Sequence, residues 1–391
     1  MKKIWPFSFN VLYFAALSTV LPFFVLFYQE LGFSGAQIGL LTGVPPLISL
    51  VASPFWTNLA DTKRWHKPVM GLGLGMAAVC ILLFQAFNSF FMIFVLISAY
   101  NFFLSPVTAL ADSATMNMLG HERAMYGRIR LGGTLGWGLF APVAGALVQN
   151  YGLKAGFLCF SVIMLINLFI SQKFVHRSHE EDPPSSGGIR TFLTNRRWIR
   201  FLFLVLLGSI GSLSVTTFLF PYMAEMGARE TTMGFALTIS TLTELPIFFF
   251  GDRLVKRFGS YGLLLLALVL IGIRSFFYAA ASTPGTVLIL QAFSGTLFPA
   301  MWLAGVTYAD ENAPAGLKSS AQGLFTAVAF SVGGAVGGFL GGLLLESIGG
   351  RGLYLVFGTI ILVGVAIAEG SRRLFPEKQE STDAVAVSSD K

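Results

Sequence analysis

Three charged side chains stand out within otherwise apolar stretches of this 391-residue sequence: Asp112, Glu244 and Arg274. A charge in hydrocarbon costs on the order of 3 kcal/mol on insertion scales, so such residues face a partner or a polar cavity. A carboxylate whose distance from a guanidinium changes with conformation takes up and releases a proton as it moves. At about 1.5 Å per helical residue, Glu244 lies roughly 14 Å from Arg253, at the end of its own stretch. Arg274 lies roughly 21 Å from Ser260, where its stretch begins. Two long side chains close the difference of about 7 Å, so a Glu244–Arg274 pair is expected, either coupling a proton or bracing neighbouring helices. Asp112 stands nearer Arg128 and Arg130. Pairing there would make a gate or a permanent brace, and Asp112 is also the alternative proton site. Asn10, Tyr13, Gln85, Asn101, Tyr278, Gln291 and Trp302 are candidates to line a cavity between the stretches.

Composition dictates the elements that position these residues. Hydrophobic residues make up 54% of the chain and charged residues only 12%, with a mean hydropathy of +0.72. A water-soluble fold needs roughly twice that charge to cover its surface. The net charge of +7 is explained by basic loops at a membrane surface rather than by nucleic acid. Cys80 and Cys159 lie in apolar stretches and suggest neither a disulfide framework nor a metal site.

A crossing helix needs about 20 apolar residues. Candidates fall near 5–28, 36–59, 68–87, 90–118, 129–149 and 153–172, then near 199–222, 231–251, 260–281, 284–309, 318–345 and 352–371. The first, which follows Lys2-Lys3, is too long for a signal peptide and is read as a retained span. With the N-terminus in the cytoplasm, twenty-two basic residues fall inside and only Lys154, Arg229 and Arg351 outside. That bias puts both termini in the cytoplasm of a plasma (inner) membrane protein. The expected domains are 1–172 and 199–375, six spans each, with a polar cytoplasmic linker at 173–198 and a disordered tail at 376–391. The fold class is therefore an all-α membrane protein of twelve transmembrane helices in two six-helix bundles.

The halves match weakly at an offset of 195: Gly32 and Gly39 with Gly227 and Gly234, Phe55 with Phe250, Leu59 with Leu254. Two parallel six-span repeats with a cavity at their interface are a transporter arrangement. Gly333, Gly337 and Gly341 form one helical stripe, Gly334, Gly338 and Gly342 a second beside it, and Gly132, Gly133, Gly136 and Gly138 recur in the fifth span. Small residues so spaced allow close helix packing. No phosphate loop, zinc-spaced His/Glu set or Gly-x-Ser-x-Gly elbow occurs, and the four histidines are read as loop residues. No enzyme activity, metal or cofactor is expected.

Thr57-Asn-Leu-Ala-Asp61-Thr-Lys-Arg64-Trp-His-Lys67 resembles the major facilitator loop between spans two and three. Thr57 and Thr62 depart from its usual glycine and basic residue. The resemblance implies that Asp61 and Arg64 take part in cytoplasmic gating, with Arg128 and Arg130 beside Asp112. A degenerate second copy runs from Gly251 to Gly259. Ala109-Leu-Ala-Asp112-Ser, Tyr126-Gly-Arg128-Ile-Arg130-Leu-Gly-Gly-Thr-Leu-Gly136-Trp and Tyr308-Ala-Asp310-Glu311 through Gln322-Gly323 are similar to the phenylpropionate-permease-like branch. That branch is related to lactose and nucleoside proton symporters. The resemblance implies a monomeric, proton-coupled carrier of a small organic solute such as an aromatic acid, nucleoside or sugar. Proton-driven efflux of hydrophobic compounds and uncoupled facilitation are the alternatives.

Overall fold

The computed structural model describes residues 4–175, 189–314 and 316–374. The middle of the expected linker and the expected tail lie outside those residues. In lipid every backbone N–H and C=O must be satisfied within the segment, which leaves the helix as the available form for apolar runs of this length. The described residues are accordingly helical. In chain order they form α1 (Ile4–Ser18), α2 (Phe24–Glu30), α3 (Gly35–Lys63), α4 (His66–Leu83), α5 (Phe90–Leu104), α6 (Val107–Leu119), α7 (Tyr126–Tyr151) and α8 (Leu153–Ser171). A short α9 (Ile189–Thr194) precedes α10 (Arg196–Glu225), α11 (Glu230–Ala280), α12 (Pro284–Glu311), α13 (Lys318–Thr326) and α14 (Gly333–Leu374). Among the described residues, ten helical stretches are long and apolar enough to cross a membrane.

Two of those stretches change direction at a glycine. The backbone turns left-handed at Gly259 within α11 and at Gly349 within α14, where φ is +68° and +67°. The α13–α14 stretch also passes through a π-helical turn at Ala327–Val332. Prolines interrupt α1–α2 at Pro22 and α5–α6 at Pro106, whereas Pro142, Pro221 and Pro299 stay inside continuous helices.

Eight described residues have positive φ, and they fall into four pairs 195 to 197 positions apart: Gly32 with Gly227, Arg64 with Gly259, Gly120 with Gly316, and Gly152 with Gly349. Each pair lies at the junction between equivalent helices. The offset read from glycine positions thus recurs as a repeat of backbone turns between a first half (4–175) and a second half (189–374).

Contacts between the halves gather at one end of the molecule, the end bearing the α2–α3 and α10–α11 turns. The two glycine stripes of the α13–α14 stretch divide the packing. Gly333, Gly337 and Gly341 meet Ser209, Ile210 and Phe218 of α10 in their own half. Gly334, Gly338 and Gly342 meet Pro46, Thr42 and Gly39 of α3 in the other half. The matching contact joins α7 to α11, where Gly145 lies against Glu230 and Gly234 against the Ala141 carbonyl. Hydrogen bonds repeat the match: Thr42 Oγ1 donates to Gly338 O at 3.0 Å, and Thr238 Oγ1 donates to Gly138 O at 2.6 Å.

The buried core follows the same division. At the joined end, Phe218, Phe220, Tyr222 and Met233 share one apolar cluster with Phe23, Tyr28 and Phe157 of the first half. At the opposite end, Trp198, Phe201, Tyr308, Phe325 and Val365 form a separate cluster belonging to the second half alone. The halves are fused at one end and keep separate cores at the other.

Candidate functional site

Arg130 is the hub of a polar cluster in the first half. Gly133, one turn later on α7, has no side chain and so leaves room for the guanidinium beside Phe14 of α1. The charge lies 4.5 Å from the Phe14 ring centre, a cation–π contact. Tyr126 lies beside Asp112 and Arg130, and Arg130 acts electrostatically on Asp112. Tyr13, buried and stacked on Phe9 at 5.8 Å, lies within the field of both charges. Of the two arginines expected near Asp112, the structure brings Arg130 to it and leaves Arg128 on an exposed face.

In the second half, Arg274 is buried, 4% exposed. It donates to Ser294 Oγ of α12 at 2.8 Å and to Gly211 O of α10 at 3.0 Å, and lies over the Tyr278 ring. Among the described residues it makes no ion pair with Glu244. The reason is lateral. Gly295, next to Ser294, is pressed against the Ser240 carbonyl and Thr243 on the turn preceding Glu244. Both residues thus border α12, and Arg274 spends its donors on Ser294 and Gly211. Glu244 is half-buried, one turn beyond Thr241, whose methyl meets Gly138 of the first half. It sits at the edge of the contact between the halves.

The candidate cavity residues do not converge as a set. Asn10 and Asn101 turn back on their own helices, donating to Pro6 O and Ile97 O at 2.9 Å each. Gln85 falls in the 3₁₀ turn that ends α4, at the end of the bundle and away from its middle. Gln291 is buried within α12. Tyr278 stacks on Tyr354 at 5.1 Å, and Trp302 packs among Phe298, Phe325 and Phe330.

At the end where the cores separate, Asp61 accepts from His66 Nε2 at 2.8 Å, and Lys67 Nζ donates to the Gln172 carbonyl at 2.9 Å. His66 opens α4 and is engaged there, so it is not the loop residue expected. Arg64 ends α3 in the left-handed conformation, φ +56°.

Sequence reasoning missed a network linking Arg274 to the joined end. Tyr222 donates to the Tyr278 carbonyl and sits edge-on to Tyr354 at 5.0 Å. Arg351 donates to Ala281 O at 3.3 Å, and Glu225 accepts the Gly350 N–H at 3.0 Å. The signal for it was the placing of Tyr222, Tyr278 and Tyr354 in otherwise apolar helices.

A model described as the MFS_1 like family matches residues 6–356. The chain belongs to that family. As an MFS_1-like protein it is 26% identical to the maltose permease of Geobacillus stearothermophilus, covering 94% of this chain and 93% of that one. It is 28% identical to the multidrug resistance protein MdtG of Escherichia fergusonii, with 93% of each covered. Its fold matches the crystal structure of a mutant form of the nucleoside transporter NupG, with a TM-score of 0.85, 17% identity, and coverage of 95% and 99%. A bacterial homologue of the lysosomal transporter Spinster, crystallised inward-facing and unoccupied, matches with a TM-score of 0.74, 12% identity and coverage of 96% and 97%. This MFS_1-like chain is therefore a multi-pass membrane protein of the major facilitator type.

Proposed function

We propose that this protein is a twelve-span secondary transporter of the phenylpropionate-permease-like branch that carries a small organic solute by alternating access, with protons as the coupled ion. Dividing α11 at Gly259 and the α13–α14 stretch at Gly349 turns ten apolar stretches into twelve spans, six per half. The basic-residue bias supports cytoplasmic termini in a plasma (inner) membrane, which makes the fused end the outer one. The observation that carries the reading is the division of the core: one cluster spans both halves outside, and a separate cluster serves the second half inside. Two rigid halves touching at one end are what rocking about a central site requires.

In this reading Glu244 and Asp112 are the proton sites. Glu244 borders the contact between the halves, so rocking changes its surroundings; Asp112 is held beside Arg130. The solute passes between the halves near Tyr13 and Trp302. Asp61, Arg64, Arg128 and Arg130 belong to the inner gate, and the protein works as a monomer without cofactor.

The relatedness to MdtG favours a second reading, proton-driven efflux of hydrophobic compounds. Purified protein in liposomes with an imposed pH gradient separates the two. Symport accumulates solute when the outside is acid. Antiport accumulates it when the inside is acid.

A further inference from the structure

At the fused end, two side chains cross from one half to cap a helix of the other, in matching positions. Glu346 of α14 accepts the N–H of Gly35, the first residue of α3, through Oε2 at 2.6 Å. Gln149 of α7 accepts from Thr231, at the start of α11, through the backbone N–H at 3.5 Å and the hydroxyl at 2.8 Å. Gln149 and Glu346 are 197 positions apart, and Gly35 and Thr231 are 196 apart, the spacing of the paired left-handed turns.

The first turn of a helix presents N–H groups with no partner in the helix, and it is the positive end of the helix dipole. α3 meets part of this need itself, since Ser34 and Gln37 form a capping box with bonds of 2.9 and 3.3 Å. α11 has no side-chain cap from its own N-cap residue, Arg229. Each helix start therefore gains an acceptor only while the halves are pressed together, with Gly35 against Gly342 and Gly145 against Glu230 just below.

We propose that Glu346 and Gln149 are matched latches that hold the outer end closed by capping a helix start of the opposite half. Glu346 is the stronger latch, because a carboxylate bonds a helix N-terminus more strongly than a neutral amide. Glu346 grips backbone alone, whereas Gln149 holds the Thr231 hydroxyl more closely than its N–H. The proposal rests on the alternating-access reading.

The test is the distance between spin labels on the full chain in nanodiscs, at exposed Asn88 in the first half and exposed Ser282 in the second, with Cys80 and Cys159 replaced by alanine. The unsubstituted protein should give a main short-distance component and a minor longer one. Glu346→Ala should raise the weight of the longer component about fivefold, and Gln149→Ala by a smaller factor of about threefold. The double variant should raise it further, and Glu346→Gln less than Glu346→Ala. Should Glu346→Ala fail to fold, Glu346→Gln and Gln149→Ala carry the test. Two components of unchanged weight in the folded variants would overturn the latch alone. A single unchanging component in the parent and all variants would overturn both the latch and the reading beneath it.

Discussion

Arg64 and Gly259 stand 195 residues apart and share one backbone conformation, with φ of +56° and +68°. One position carries a side chain that the left-handed region disfavours, and the other carries the residue that suits it. Arg64→Gly should stabilise the fold by roughly 1 kcal/mol, and Gly259→Ala should destabilise it by about the same amount. Thermal unfolding of the detergent-solubilised protein checks both. Equal melting temperatures would mean that the turns carry no strain.

The Arg130 cluster gives a prediction with an internal control. Arg130 lies over Phe14, interacts with Tyr126 and acts on Asp112, whereas Arg128 is exposed two residues away. Arg130→Ala should cost about 2 kcal/mol, with lost cation–π and charge contacts. Arg128→Ala should change stability by no more than about 0.5 kcal/mol. Similar melting temperatures for the two variants would contradict the placement of Arg130.

Glycine packing in α7 separates two kinds of glycine. A Cβ at Gly136 would run into the Val11 carbonyl of α1, backbone that cannot yield, while nothing lies within 4 Å of one at Gly127. Gly136→Val should abolish folded protein in size-exclusion profiles. Gly127→Ala should give a normal profile and a gain of roughly 0.5–1 kcal/mol. A normal profile for Gly136→Val would show that α1 and α7 do not pack this closely.

The helices and the repeat were legible because both are written in local pattern. Apolar length predicts 153–172, and α8 spans Leu153–Ser171. The Gly32–Gly227 match predicted from sequence returns as two turns with φ of +74° and +73°. Lateral position was not legible. Glu244 and Arg274 have compatible depths along their helices, but Arg274 turns to Ser294 and Gly211, and no count of residues reports which neighbour a side chain meets. Asp61 with His66, five positions away across a turn, was missed because the local geometry depends on Arg64 turning left-handed. Gln149 with Thr231 and Glu346 with Gly35 were missed because each joins helices far apart in sequence. The position of Gln85 was not legible because helix α4 tightens into a 3₁₀ turn where the apolar run still continues.

Glu244 borders the contact between the halves without an ion-pair partner among the described residues, which suits a group that exchanges protons as the contact forms and opens. Glu244→Gln should abolish uphill accumulation driven by a pH gradient while leaving solute counterflow within about twofold of the parent. Undiminished uphill uptake by this variant would remove Glu244 from the coupling step and leave Asp112 as the proton site.

The most direct test of the whole account is transport by the purified protein in liposomes under an imposed pH gradient, with labelled aromatic acids, nucleosides, sugars and hydrophobic cations offered in turn. With proton symport, at least one of the first three accumulates above its external concentration when the outside is acid, and collapsing the gradient releases it. Accumulation only when the inside is acid, or only of hydrophobic cations, would contradict proton symport and establish the efflux reading instead.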